Sequence, residues 1–212
     1  MRDLSAVDDG MRKLLIQIPC FNEETSLPAT LAALPRTVQG FERVEWLIVD
    51  DGSTDRTIEV ARAAGVDHIV RLPHNHGLAR AFMVGIEASL KAGADVIVNT
   101  DADGQYDARS IPALVAPIVE GRAQIVVGER PIMAVREFSM LKKLLQRLGS
   151  AVVKIASNTR VPDAPSGFRA IHAEAALRLC VFSDYTYTLE MIIQAGRKNI
   201  AITSVPIAVN SV

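Results

Sequence analysis

Cysteine is scarce in this chain. Its 212 residues hold 2, Cys20 and Cys180, with no CxxC pair, which excludes a disulfide framework and a zinc knuckle. Both read as reduced thiols in a cytosolic setting. A surplus of either charge is also missing: 23 Lys and Arg stand against 24 Asp and Glu, a net charge of −1. That balance argues against nucleic acid as a partner, because bulk electrostatic binding needs a basic footprint, and it still leaves room for a local basic patch. No run reaches the roughly 18 consecutive apolar residues of a membrane-spanning helix. The segment MRDLSAVDDG lacks the apolar core of a signal peptide. Walker A, GxGxxG and GxSxG sequences are absent, which lowers the ATPase, dehydrogenase and serine-hydrolase readings.

What is present suits a packed domain. Hydrophobic residues make up 49% and charged residues 22%, a balance that excludes a disordered chain. Apolar runs of strand length recur at Leu14–Ile18, Val44–Val49, His68–Leu72, Val96–Val98 and Ile125–Val127. Helical patterns lie between them at Leu27–Leu34, Thr57–Ala64, Leu78–Ala92 and Ile111–Val119. Continuous apolar runs indicate strands covered on both faces, and strand–helix alternation predicts an α/β fold with a mostly parallel sheet. The second half predicts a long amphipathic helix over about Glu137–Ser157 and a loop to Gly167. A strand Phe168–Ile171, helices Ala173–Leu179 and Thr186–Ala195, and a strand Ile200–Val205 follow. With no linker or repeat, residues 1–212 read as one domain.

Ligands of such sheets bind at the carboxyl ends of strands. The first run ends in Pro19-Cys20-Phe21-Asn22-Glu23-Glu24, where Asn22 could simply cap a helix. The second ends in Asp50-Asp51-Gly52-Ser53-Thr54-Asp55. One cap needs one carboxylate, so a second is free to accept hydrogen bonds from a base or ribose. The fourth ends in Asn99-Thr100-Asp101-Ala102-Asp103-Gly104-Gln105. In an extended segment Asp101, Asp103 and Gln105 share a face, an oxygen set suited to Mg²⁺ that keeps substrate phosphates as further ligands. The bland alternative is an Asx turn closed by Gly104. An aspartate phosphatase also carries a DxD after a strand, but that motif continues with Thr or Val and lies on the first strand.

Taken in order, Ile18–Glu24, Val49–Asp55, Asp101–Gln105 and Ser166-Gly167-Phe168-Arg169 resemble the signature of family 2 glycosyltransferases, closest to the dolichyl- or polyprenyl-phosphate sugar transferase branch. The likeness runs from Leu14 to Pro206. It implies a GT-A fold, with a nucleotide-sugar-binding half over about residues 13–128 and an acceptor half over about 129–212. It also implies a UDP- or GDP-sugar donor and Mg²⁺ or Mn²⁺ at the DxD. Matched by position, Pro19, Phe21 and Glu23 would cradle the base, and Asp50 or Asp51 the nucleoside. Asp101 would meet the ribose or metal, and Asp103 and Gln105 would ligate the metal. From its residues, the stretch Asn75–Arg80 is expected near the donor diphosphate, with Gly77 allowing close backbone approach and Arg80 available as a cation. Gly128-Glu129-Arg130 resembles the family's Gly-Ser-Arg, with Glu129 as a departure and Arg130 as a phosphate contact. His74-Asn75-His76 lacks a third ligand for zinc.

Arg130 and Arg169 flank the long helix and are expected to converge on a phosphate, for which guanidinium is suited; the ordinary fate of a lone arginine is solvation. On that helix Arg136, Lys143, Arg147 and Lys154 share one narrow face opposite Leu141, Leu144, Leu145, Leu148, Val152 and Ile155. A basic amphipathic helix can lie on anionic lipid or can pack its apolar face on the core. A phosphomonoester acceptor is mostly dianionic at neutral pH, whereas a hydroxyl needs a base within reach. Asp163 matches the family's acid before the Ser-Gly-Phe-Arg motif and is the candidate base, its alternative being a loop residue between prolines. Glu190 falls where the family often carries an acid. The expectation is an inverting, metal-dependent transferase that uses a lipid-phosphate acceptor at the cytoplasmic membrane face. A saccharide or protein hydroxyl acceptor, or a silent nucleotide-sugar binder, is the alternative. Such chains usually continue past Pro206 with a basic segment and often membrane helices, so these residues are expected to form a catalytic core.

Overall fold

The computed structural model describes residues 13–131, 161–183 and 186–210. The expected helix over 137–157, with its basic stripe, lies outside the described residues. Among those described, strands β1 (Lys13–Cys20), β2 (Arg43–Asp50), β3 (His68–Arg71) and β4 (Val96–Asn99) alternate with helices α1 (Leu27–Ala33), α2 (Thr57–Ala63) and α3 (Leu78–Lys91). A 3-10 turn and α4 (Ile111–Val119) lead to β5 (Ile125–Glu129). The chain is described again through β6 (Arg169–His172), α5 (Ala173–Ala176), α6 (Thr188–Arg197) and β7 (Ile202–Pro206).

The seven strands form one sheet in the order β3-β2-β1-β4-β6-β5-β7. β1 pairs in parallel with β2 on one side and β4 on the other, so the strand order reverses at β1. Such a switch point opens a crevice at the carboxyl ends of the two strands. The mostly parallel expectation holds for β1–β4, while β6 runs antiparallel to both of its neighbours. That reversal aligns Arg169 with Asn99, so the Ser166-Gly167-Phe168 turn enters the sheet beside the end of β4.

The continuous apolar runs are covered on both faces. Leu14, Ile16 and Ile18 pack beneath α1 and α4 with Ile48, Val98 and Phe168. Leu15, Leu47 and Ile97 pack beneath α3 and α6 with Phe82, Tyr187 and Met191. Side chains two apart on a strand share a face, which divides β1 cleanly between the two cores. Gln17 is the polar exception on the second face. Its Nε2 donates to Asn99 Oδ1 at 2.9 Å, and Asn99 Nδ2 donates to Gly167 O and Tyr187 Oη at 3.0 Å. This buried chain of hydrogen bonds ties the switch point to the turn before β6 and to the start of α6.

Candidate active site

A cleft of about 370 Å³ opens at the switch point, lined by residues of the β1 end (Pro19–Glu23), the β4 end (Asp101–Asp103) and the entry to α3. Its walls are braced by the acids after β2. Asp51 is buried, and its two carboxylate oxygens accept from the backbone N–H groups of His76 and Gly77, each at 2.8 Å. Ser53 Oγ accepts from Asn22 N, Thr57 Oγ1 from Glu23 N, and Asp55 Oδ2 from Glu24 N. Asn22 is therefore a left-handed loop residue (φ 58°) rather than a helix cap, and α1 starts only at Leu27, behind Ser26.

Gly52 lets two of these loops touch. Its φ is +76°, and a Cβ there would lie 2.5 Å from the carbonyl carbon of His74. Gly52→Ala is expected to cost about 2–4 kcal/mol, from left-handed strain plus a clash that only backbone movement relieves. Gly65 has a similar φ of +70° with nothing near a Cβ. Gly65→Ala should therefore cost only the strain, about 1–2 kcal/mol. Thermal melts of the two variants side by side measure the difference. Equal melting temperatures would remove the loop contact from the account.

Asp101 and Asp103 face the same cleft from a turn, not from an extended segment. Asp103 Oδ1 accepts from Gln105 N at 3.0 Å, with Gly104 at φ +71°, so the Asx turn is real. The turn separates Gln105 from the pair: its side chain is exposed and absent from the cleft lining, while its carbonyl accepts from Asn210 N. Asp101 is enclosed. A Cβ on Gly167 would stand 3.3 Å from its Oδ1, closer than ordinary contact, so glycine admits the carboxylate. Tyr106 Oη accepts from Gly167 N at 3.1 Å and holds that wall. Burial first, then the Asp103 carboxylate, pushes the Asp101 carboxyl up to about 6, against the opposing pull of Arg130. Among the described residues no group of three His, Cys, Asp or Glu side chains could hold a metal. Two converging carboxylates do suit a hard cation that completes its shell with phosphate and water.

The two arginines part company. Arg130 is partly exposed, and Asp163 holds it through two parallel contacts, Nε to Oδ2 at 2.7 Å and Nη2 to Oδ1 at 2.9 Å. Arg169 points inward and is fully buried. Its guanidinium donates to the carbonyls of Ser166, Thr188 and Ala164 at 2.8, 2.8 and 2.6 Å. It therefore does not converge with Arg130 on a phosphate, and burial lowers its pKa to about 10.

The sequence profile described as Glycosyl transferase family 2 matches residues 15–179. This chain belongs to that family. An undecaprenyl-phosphate mannosyltransferase of Micrococcus luteus is 30% identical over 207 residues, 93% of this chain and 83% of that protein. An uncharacterized protein of Methanocaldococcus jannaschii is 31% identical over 202 residues, 92% of this chain and 80% of its own. Among solved structures, glucosyl-3-phosphoglycerate synthase of Mycobacterium tuberculosis, determined with Mn²⁺, UDP and phosphoglyceric acid, superposes with a TM-score of 0.73 at 22% identity. The match covers 92% of this chain and 68% of the other. The fold is GT-A, and the protein is a glycosyltransferase.

Within the glycosyltransferase cleft stand Pro19, Phe21, Glu23, Asp51, Asp101 and Asp103 of the expected donor and metal residues. Asp50 does not reach it. That carboxylate has no exposed surface, accepts from Ser53 N at 3.2 Å and lies 3.4 Å from Arg71 Nε. Gly77 serves through its backbone N–H on Asp51, and Arg80 is exposed on α3 outside the lining. Glu129 leans toward β7, accepting from Ser204 Oγ at 3.3 Å. Glu190 accepts from the backbone N–H groups of Phe182 and Ser183 and fastens that loop to α6. The stretch Asn75–Arg80, expected near the diphosphate, supplies Asn75 and Leu78 to the lining, whereas sequence reasoning missed Ala81 there and Tyr106 and Tyr187 behind Asp101. Tyr106 directly follows the Asp103 turn and carries no motif of its own, whereas Tyr187 reaches the site only through long-range contacts with Asn99 and Gly167.

Proposed function

We propose that this glycosyltransferase moves a sugar, with inversion, from a UDP- or GDP-sugar to a polyprenyl-phosphate-type lipid at a membrane surface. The observation that carries the reading is the cleft itself, where Asp101 and Asp103 converge beside a partly exposed Arg130. Asp101 and Asp103 would hold Mg²⁺ or Mn²⁺, which when bound supplies charge stabilisation for a leaving diphosphate. Phe21, 46% exposed at the cleft, offers a ring face to the base, and Asp51 keeps lone pairs beyond the two backbone bonds it accepts. In the reaction the bond from the anomeric carbon to the diphosphate oxygen breaks, and its electron pair leaves with the nucleoside diphosphate. An acceptor phosphate oxygen forms the new bond from the opposite face. A phosphomonoester arrives mostly dianionic at neutral pH, so no side chain needs to remove a proton.

Likeness to the mannosyltransferase of Micrococcus luteus supports the lipid phosphate, and the Mn²⁺ and UDP named for the mycobacterial structure support the donor chemistry. Among the described residues no helix is long and apolar enough to cross a membrane, so contact with the bilayer would be peripheral in this part of the chain. The test supplies labelled UDP- and GDP-sugars with Mn²⁺ and offers undecaprenyl phosphate, soluble saccharides and 3-phosphoglycerate as separate acceptors. Label should enter the lipid phase, and Asp103→Ala should reduce it by about 100-fold or more. Label in a saccharide instead would overturn the lipid acceptor. Equal transfer by the Asp103 variant would overturn the metal assignment.

A further inference from the structure

Asp163 and Arg130 lie 33 residues apart in sequence and meet in a forked contact. The backbone N–H of Arg130 also donates to Asp163 Oδ2 at 3.2 Å, so three donors of one residue converge on one carboxylate. The two partners are unequal in exposure. The Asp163 side chain has no accessible surface, whereas that of Arg130 keeps 26%. A general base must come within hydrogen-bond reach of the proton it removes. Here both carboxylate oxygens are turned to a guanidinium, and the group is closed to a ligand entering from solvent.

The exposed partner has what an anion contact needs. A guanidinium has five N–H donors in a rigid fork, and Asp163 takes two of them, which leaves three to address a second group. Arg130 is close enough to Asp101 and Tyr106 for each to act on its charge, so the guanidinium lies near the cleft carboxylates without itself lining the cleft. The carboxylate that aims it is itself fixed. Ser166 N donates to Asp163 O at 3.1 Å, and Arg169 holds the carbonyls of Ala164 and Ser166, so residues 163–169 form a strap with little freedom.

We infer that Asp163 is a positioning residue, holding the Arg130 guanidinium as the contact for an acceptor phosphomonoester, rather than the base of the reaction. The inference rests on the transferase reading for its setting but not on the acceptor being a lipid. A phosphomonoester could belong to a prenyl phosphate or to a small soluble metabolite, and the test separates the two.

Titration calorimetry of the full chain with Mn²⁺ and UDP present would use farnesyl phosphate in one arm and 3-phosphoglycerate in the other. The proteins are wild type, D163N, D163A, R130A, R130K and R130A/D163A. At least one phosphomonoester should bind the wild type. D163A and R130A should each weaken it by about 10-fold, and the double variant should be no weaker than R130A, the non-additivity expected of residues acting as one unit. D163N preserves shape and packing if D163A folds poorly, and R130K preserves charge without the fork. Both should weaken binding while UDP affinity stays at the wild-type value. In turnover assays the loss should appear in the acceptor KM, with the shape of the pH profile retained. Phosphomonoester binding unchanged in D163N and D163A, with kcat lost and the acid limb of the pH profile abolished, would make Asp163 the base and overturn the inference. Additive losses, or binding of neither phosphomonoester, would also overturn it. Binding of 3-phosphoglycerate alone, dependent on both residues, would sustain it and remove the lipid acceptor instead.

Discussion

Asp101→Asn is expected to cut sugar transfer by about 10²–10³-fold and, in the metal-free protein, to raise stability above pH 6. The two effects share one cause. Asp101 is enclosed by Gly167 and by the wall that Tyr106 holds, and its carboxyl is pushed up to about 6 by burial and by Asp103. A carboxylate so placed suits a cation and is costly without one. Its folded pKa lies above the ordinary value of 3.8, so between those two values the folded state binds more protons than the unfolded. Stability therefore falls as pH rises through that window, and above about pH 6 the full penalty remains, about 3 kcal/mol from the size of the shift. Asparagine carries no charge and escapes the penalty at a similar shape. Melting curves at pH 4 and pH 8 should show the variant gaining on the wild type only at the higher pH. Added Mn²⁺ should then raise the wild-type melting temperature and leave that of the variant alone, because only a bound ligand stabilises by mass action. A variant that melts below the wild type at pH 8, or transfers at its rate, would remove Asp101 from the metal site.

How far this site could be read in advance depended on whether the chemistry was local. The runs of β1, β2 and β4 end in oxygen-rich loops, and position at a strand end is enough to place Asp51, Asp101 and Asp103 in one crevice. The turn at Asp103 was less accessible. Alternate spacing puts Gln105 on the face of Asp101 only if the backbone stays extended, and Gly104 ends that. Direction was equally hidden in β6, because a short apolar run looks the same whether it is parallel or antiparallel. Asp50 and Asp51 are chemically identical neighbours and both are buried, yet only Asp51, one position past the end of β2, lines the cleft. Asp163 illustrates the same limit at long range. Its partner is 33 residues away, and without that partner an acid before a glycine turn reads equally well as base, cap or loop.

Arg169→Ala is expected to fail as a fold before it can fail as a catalyst. The Ser-Gly-Phe-Arg context points to a phosphate contact, but the guanidinium is fully buried and its partners are carbonyls on two segments, Ala164 and Ser166 in the strap and Thr188 at the start of α6. Alanine would strand three acceptors away from water and leave a cavity beside the Tyr187 ring, over which the guanidinium carbon sits at 5.8 Å. Each stranded buried acceptor costs about 1–3 kcal/mol, and partial relaxation brings the total to about 3–5 kcal/mol. For a domain of this size that is a fall in melting temperature of about 10 °C or more. Lysine keeps the charge but offers one nitrogen where the arginine fork reaches three carbonyls, so Arg169→Lys should recover only part of the loss. A phosphate-binding arginine predicts the opposite result: a melting temperature near that of the wild type and a raised KM for the acceptor alone. Under the buried arrangement both variants melt early. Whatever folded protein remains at low temperature should bind the donor nucleotide as the wild type does, because the cleft wall is braced separately through Asp51 and Ser53. Loss of activity in an Arg169 variant would then report on the strap that presents Asp163 and Arg130, one step removed from the reacting atoms.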